Sequence, residues 1–135
     1  MTPARPGGLP GMADITSIRT IGIPVTDQDR AVDFYVGTLG FSKRIDFPTP
    51  QLGGRWIELG VGDAPTSVAL VPTREGLPAG VPTGIRFHTT DAAALHARLS
   101  AAGVTVGELL AWPGVPPMFE VRDPDGNTLN LTEEG

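Results

Sequence analysis

Four stretches of this 135-residue chain alternate apolar residues with side chains that can bind a ligand or move a proton. A strand places alternate side chains on opposite faces, so the non-apolar members of each stretch are expected to share one face. Their indole, thioether, guanidinium, imidazole, carboxylate and amide groups together suit a flat aromatic ligand. An indole stacks on a planar ring for about 0.5–1.5 kcal/mol beyond the area buried, and an arginine adds a cation for a phenolate or carboxylate. The candidates on these stretches are Trp56, Glu58, Arg86, His88, Met118, Glu120 and Asn130.

The composition argues against several other kinds of chemistry. The chain has no cysteine, which excludes disulfides and thiolate metal sites. Ten basic and 15 acidic residues give a net charge of −5, and the absence of a basic cluster argues against nucleic-acid or anionic-membrane partners. The sequence contains neither a glycine-rich phosphate loop nor a Ser-His-Asp or Cys-His nucleophile set. No apolar run has membrane-spanning length, and residues 1–11 lack the apolar segment of a signal peptide, so a cytoplasmic protein is predicted.

The stretch from Asp123 to Leu131 predicts a tight turn followed by a strand. Asp123-Pro124-Asp125-Gly126 has the residue preferences of a type I turn, with proline second and glycine fourth. Leu129 and Leu131 then alternate with polar residues. The turn therefore delivers Asn130 onto the face opposite the two leucines.

A repeated pattern predicts two copies of one β-α-β-β-β unit in an α+β fold. In each copy a strand is followed by a capping aspartate, a helix with an apolar face and a terminating glycine, first with Asp27 and Gly40 and again with Asp91 and Gly103. We predict a disordered leader over residues 1–14, within which Met12 is a possible natural start. A single domain follows over 15–133, with module 1 at 15–73 and module 2 at 83–133. The predicted strands are 17–25, 41–47, 55–60, 66–72, 84–90, 104–110, 117–122 and 127–132.

Two sequence segments together resemble the vicinal oxygen chelate superfamily, which includes glyoxalase I, extradiol dioxygenases, fosfomycin-resistance transferases and bleomycin-binding resistance proteins. The first runs from Asp27 through Tyr35 to the Leu39-Gly40-Phe41 segment, and the second is Asp123-Pro124-Asp125-Gly126-Asn127. The resemblance covers roughly residues 15 to 133. It implies two βαβββ modules that form a curved mixed sheet around a cavity, usually completed in a dimer. We therefore expect a homodimer.

Metal-dependent members of that superfamily place His, Glu or Gln at four positions facing the cavity. Carried over by their motifs, these positions fall at Thr20, Ala69, Gly84 (or Ile85 with a shift of one residue) and Asn130. None is a carboxylate or an imidazole, and neutral amide and hydroxyl oxygens alone would hold a divalent ion poorly. We therefore expect no metal and no other cofactor, as in the metal-free binding members of the superfamily.

Each candidate residue also has a purely structural interpretation. His88 could bond a strand neighbour, Arg86 could form an ion pair with Glu58 or Glu120, and Trp56 could belong to the core. Glu58, Glu120 and His88 could instead form a displaced metal site, although their spacing matches no family pattern. Trp112, in a loop rich in Gly and Pro, suits a lid or a dimer contact, or else a buried loop anchor.

The sequence favours a binding protein over an enzyme. The predicted function is metal-independent sequestration of a hydrophobic, partly aromatic small molecule, such as an antibiotic or a toxic metabolite. No catalytic residue is assigned, and the ligand-binding set is the seven candidates above together with Trp112. The alternative is a lyase, isomerase or dioxygenase of the same superfamily, either metal-dependent or using His88 or Glu120 as a general base. A third possibility is a dimeric partner module with no ligand.

Overall fold

The computed structural model describes residues 14–135, and these fold into two successive units of similar design. The first unit contains strand β1, a helix and three further strands: β1 Thr20–Val25, α1 Gln28–Val32 continued by a π-helical turn Asp33–Thr38, β2 Ser42–Thr49, a 3₁₀ turn Pro50–Leu52, β3 Gly54–Gly60 and β4 Ser67–Pro72. The second contains β5 Pro82–Thr89, α2 Ala92–Ala101, β6 Met118–Arg122 and β7 Thr128–Glu133. Residues 1–13 of the predicted leader lie outside the described residues.

The strands form two mixed sheets. The first sheet has the order β1-β4-β3-β2, with β1 and β4 parallel and the other pairs antiparallel. The second has the order β5-β7-β6, with β5 and β7 parallel and β6 and β7 antiparallel. This architecture confirms the predicted α+β fold of two β-α-β units with additional strands.

The capping signals in the sequence act as expected at both helices. The Asp27 side chain accepts a 3.0 Å hydrogen bond from the backbone N–H of Arg30, and Asp91 accepts one of the same length from Ala94. Gly40 and Gly103 follow the two helical segments with φ of 83° and 82°. That left-handed conformation is costly for other residues, which explains why both helices end at glycine.

The prediction of a regular strand over residues 104–110 is wrong. Only two isolated bridges occur there, Val106 with Val121 and Leu110 with Met118. The register slips by one residue between the two bridges, and Gly107, which provides no side chain for packing, lies at the slip. The segment therefore follows the β6 edge without forming a regular ladder.

The core is continuous across both units. The buried residues beneath the helices come from strands of both units: Ile23, Val25, Ile57, Leu59, Phe119, Val121, Leu129 and Leu131. Aromatic rings link the units: the ring centroids of Tyr35 and Phe41 lie 5.7 Å apart, and those of Phe41 and Phe87 lie 5.4 Å apart. Across the part of the chain that is described, no helix is long and apolar enough to cross a membrane.

A buried polar cluster fastens the turn of the second unit to the first. The Asp123 carboxylate accepts hydrogen bonds from the Tyr35 hydroxyl at 2.8 Å and from Asn127 Nδ2 at 2.9 Å. Asn127 also donates to the carbonyl of Pro24 in β1, at 2.8 Å, and its Oδ1 accepts from the backbone N–H groups of Gly80 and Val81. Burial, reinforced by the negative charge of Asp123, raises the pKa of the Tyr35 hydroxyl far above its usual range, so this hydroxyl stays a donor.

We expect Asn127→Ala to lower the free energy of unfolding by about 2–4 kcal/mol. The change removes one donor from the Asp123 carboxylate and leaves the Pro24 carbonyl and the N–H groups of Gly80 and Val81 without their side-chain partner. The matched control is Asn130→Ala, three residues along the same stretch, where the half-buried amide has no backbone partner among residues 14–135. Urea unfolding at neutral pH measures the free energy of unfolding of both variants. Equal losses in the two variants would contradict a special role for Asn127.

Candidate ligand-binding site

The face of the first sheet that points away from the helices carries Trp56 and Glu58. Their strand neighbours Ile57 and Leu59 are fully buried on the helix side, as the alternation predicted. Across the sheet, Phe47 in β2 pairs with Trp56. Phe47 is 53% exposed, so the two aromatic rings form an accessible surface on this face.

Glu58 holds the indole of Trp56 in place. Trp56 Nε1 donates to Glu58 Oε2 at 2.7 Å, the Ser67 hydroxyl donates to Oε1 at 2.8 Å, and Arg19 Nη2 lies 3.1 Å from Oε2. The Ser67 hydroxyl lies 2.9 Å from that of Thr20, which extends the cluster to β1. The carboxylate is thus fully satisfied although Glu58 is only 4% exposed.

The partners of Glu58 also control its protonation. Burial alone would raise the pKa of this carboxyl, but hydrogen bonds from Trp56 and Ser67, with the charge of Arg19, outweigh burial and lower the pKa. Glu58 is therefore ionised at neutral pH. The expected ion pair between Glu58 and Arg86 is wrong, because Arg19 occupies that role and Arg86 belongs to the other sheet.

Beside Trp56 lies a mostly apolar pocket with a volume of about 280 Å³. Gly22 lines it from β1, and a methyl group added there would meet only Val71, at 3.8 Å. The full set of lining residues is Gly22, Leu52, Trp56, Val71, Pro72, Arg74 and Leu77.

The open face of the second sheet gathers four of the predicted ligand-binding residues. Asn130 in β7 pairs with Arg86 on one side and with Glu120 on the other, and these three line a pocket of about 360 Å³ together with Met118. Arg86 Nη1 and Asn130 Nδ2 each lie 3.8 Å from the Met118 sulfur. Arg86 and Glu120 are exposed, and neither is ion-paired within residues 14–135, so the expected Arg86–Glu120 pair is also absent there.

His88 and Trp112 line neither of these two pockets, although His88 shares a third cavity with Arg86. His88 is exposed and lines a third cavity of about 450 Å³, with Asp63 and Glu134. Trp112 is 56% exposed and lies in the loop between Leu110 and Met118, whose backbones are hydrogen-bonded to each other. Trp112 therefore lies near the second pocket without lining it, and the interpretation as a buried loop anchor is wrong.

The four positions that carry metal ligands in catalytic relatives hold neutral groups here. Thr20 and Ala69 lie on the open face of the first sheet, and Asn130 on that of the second. Ile85 packs against the core, which leaves Gly84 as the third position. Within residues 14–135, no cluster of three or more His, Cys, Asp or Glu side chains could hold a metal ion. The displaced site considered for Glu58, His88 and Glu120 is thus not assembled in the described chain.

Four residues around Trp56 were not predicted from the sequence. Phe47 could have been assigned by pairing β2 with β3 in antiparallel register, since it lies opposite Trp56. Arg19 precedes β1, and Arg74 and Leu77 lie between the two predicted modules, where no periodic signal marks their direction. His96 in α2 is half-buried, with its ring edge-on to Phe119 and Nε2 2.8 Å from the carbonyl of Gly107.

We expect Glu58→Gln to lower the free energy of unfolding by about 1–3 kcal/mol at neutral pH. Because the pKa of Glu58 is lowered in the folded protein, the ionised carboxylate stabilises the fold above the ordinary glutamate pKa of about 4.3. This stabilisation is lost as pH falls through the folded-state pKa. The difference in the free energy of unfolding between variant and parent should therefore become smaller at acidic pH. In a Trp112→Phe background, where Trp56 is the sole tryptophan, unfolding followed by fluorescence measures this gap.

The control is Glu120→Gln, because Glu120 is exposed and has no ion pair among residues 14–135. Its free energy of unfolding should equal that of the parent at both pH values. A Glu58→Gln deficit of equal size at neutral and acidic pH would show that the charge of Glu58 is unimportant.

Comparison with known proteins identifies the family. The model of the Glyoxalase/Bleomycin resistance protein/Dioxygenase superfamily matches residues 17–131. TnmS3, an antibiotic binding protein from Streptomyces sp. CB03234, is 34% identical with a TM-score of 0.82, over 92% of this chain and 100% of that one. A glyoxalase/bleomycin resistance protein from the same organism is 36% identical with a TM-score of 0.74, over 86% and 99%.

A third similar structure, a superfamily member from Sphaerobacter thermophilus DSM 20745, is 35% identical with a TM-score of 0.79, over 89% of this chain and 98% of that one. No curated protein sequence matches the chain at a significant level. The chain belongs to the Glyoxalase/Bleomycin resistance protein/Dioxygenase superfamily.

Proposed function

We propose that this protein is a metal-independent binding protein that sequesters a hydrophobic, partly aromatic small molecule of the antibiotic or toxin class in the cytoplasm. The observation that carries the proposal is the fixed indole of Trp56 beside an apolar pocket. A hydrogen bond of 2.7 Å to a buried carboxylate orients the ring, so little rotational freedom is lost when a planar ligand stacks on it. The similarity to TnmS3, an antibiotic binding protein, supports a binding role.

Metal independence rests on the types of residue at the four family positions. Thr20, Ala69, Gly84 and Asn130 offer at most a hydroxyl and an amide oxygen, which are weak ligands for a divalent transition metal. The Thr20 hydroxyl is moreover engaged with Ser67. These positions support a binding protein over a metal-dependent lyase, isomerase or dioxygenase.

We further propose that two copies of the chain complete the cavity. The Trp56 pocket and the Arg86–Glu120 pocket lie on different sheets and share no lining residue, so each offers one wall for a ligand. Phe47 and Trp112 are more than half exposed on or near these faces, so both rings are available for a contact with a second copy. Pairing the first unit of one copy with the second unit of its partner would bring Trp56 and Arg86 to opposite walls of one cavity and cover the exposed rings.

Planar aromatic compounds are expected to quench the fluorescence of Trp56 in the Trp112→Phe background. Replacing Trp56 with Ala should weaken binding by about 1–3 kcal/mol, measured by calorimetry, because stacking and apolar contact are lost. Thr20→Ser is the control: it changes a position that would be a ligand in a metal enzyme, and here it should leave affinity within about twofold. A panel of planar aromatic compounds that gives neither quenching nor heat would overturn the proposed function.

The same binding experiment tests metal independence. Affinity should be unchanged after treatment with a chelator, and elemental analysis of protein purified without chelator should find far less than one transition metal per chain. One metal per chain, lost on replacing His88 or Glu120, would instead support a metal-dependent enzyme with a displaced metal site.

Light scattering is expected to give the mass of a homodimer at micromolar concentration. Trp112→Asp should raise the fraction of monomer, because a charge replaces an aromatic ring in the proposed contact. Asp63→Asn, in an exposed loop away from both pockets, is the control. A monomeric parent protein would contradict the shared cavity.

A further inference from the structure

We infer that the Trp56 pocket takes a ligand that carries a negative charge, an aromatic carboxylate or phenolate, and that Arg74 is the residue that binds the anion. The inference rests on the proposed binding function and specifies the ligand class for the first of the two pockets.

The charge of the pocket is set by one side chain. Arg74 is the single charged residue among its lining residues, and the others are glycine, proline, tryptophan and aliphatic residues. Glu58 is close to the pocket through Trp56, but its carboxylate is neutralised by Arg19 and hydrogen-bonded to Trp56 and Ser67. A ligand in this pocket therefore meets a positive charge, although the chain as a whole carries a net charge of −5.

The Arg74 guanidinium has no assigned partner within residues 14–135, where neither a hydrogen bond nor an ion pair engages its side chain. By contrast, Arg19, Arg30 and Arg55 are each paired with a carboxylate. A guanidinium presents five donors in a planar fork that matches a carboxylate. Arg74 thus retains its full capacity to bind an anion.

The backbone that carries Arg74 is fixed over the pocket. Residues 74–77 form a tight turn in which Leu77 N donates to the carbonyl of Arg74 at 2.8 Å and Arg74 N donates to that of Leu77 at 3.2 Å. Thr73 N bonds the carbonyl of Val25 at 3.0 Å, and the Thr73 hydroxyl bonds the carbonyl of Leu77 at 2.8 Å, so the turn is tied to β1 and to itself. Arg74 and Leu77 therefore approach the pocket from a rigid support.

The second pocket gives no comparable preference. There Arg86 is accompanied by Glu120, so its charges compensate each other and suit a polar, neutral part of a ligand. The first pocket, at about 280 Å³, is slightly below the ~300–1,000 Å³ of typical ligand pockets. It would thus hold one planar end of a ligand, and that end should bear the anion.

A pair of probes that differ only in charge tests the inference. At neutral pH, 2-naphthoate is an anion and 2-naphthamide is its neutral counterpart of nearly the same shape. Calorimetry and Trp56 quenching in the Trp112→Phe protein should show naphthoate binding about tenfold more tightly, with the preference shrinking as salt is raised.

Variants assign the preference to Arg74. Arg74→Gln should abolish the preference for naphthoate while leaving naphthamide binding within about twofold, and Arg74→Lys should restore part of it. Arg98→Gln is the matched control, since it removes one positive charge from α2, where Arg98 contacts the carbonyl of Thr38. A preference for naphthoate that survives Arg74→Gln, or equal binding of the two probes, would overturn the inference about Arg74 but not the proposed function. Binding of neither probe, nor of any other planar aromatic compound, would overturn the proposed function with it.

Discussion

The buried carboxylate of Asp123 is the constraint on which the arrangement of the two units depends. It accepts hydrogen bonds from Tyr35 in the first unit, from the Asn127 amide, and from the backbone N–H groups of Asp125 and Asn127 within its own turn. The turn that precedes β7 is thereby held against the first unit's helix and β1. A carboxylate buried this deeply is tolerable only because every one of its oxygens is satisfied.

The position of that turn determines what the last strand can present. With Asp123 anchored, Leu129 and Leu131 must face the core, and Asn130 must face away from it between Arg86 and Glu120. A slip of one residue would bury the asparagine and expose the leucines. The residues that form the second pocket therefore owe their direction to a contact on the opposite side of the sheet, outside the pocket itself.

The alternation of residues made it possible to predict on which face of a strand each side chain lies. Interactions between units could not be predicted in this way. The directions of Trp56, Glu58, Arg86, Met118, Glu120 and Asn130 follow from the period of two and the buried apolar neighbours, and the structure places them as expected. The ion pair of Glu58 with Arg86 was a wrong prediction because it assumed one enclosed cavity within a chain. Arg19 lies before β1 in a segment without periodicity, so the sequence offers nothing to indicate that its side chain reaches Glu58.

Loops were the second source of error, for a related reason. The segment over residues 74–82 was assigned to neither predicted module, yet its tight turn and the bond of Thr73 to β1 make it part of the wall beside Trp56. Glycine in such a segment indicates a backbone conformation, as at Gly76 with φ of 81°, rather than flexibility.

Small side chains and an oriented aromatic ring lie together on the open face of the first sheet. Ala69 pairs with both Gly22 and Glu58, so the middle of this face carries two small residues and one carboxylate. On the same face, the carboxylate of Glu58 is bonded to Trp56, Ser67 and Arg19. Gly22 then leaves space beside the indole that a larger side chain would fill. This face therefore presents a planar, hydrogen-bonded indole beside an apolar pocket, a geometry suited to stacking.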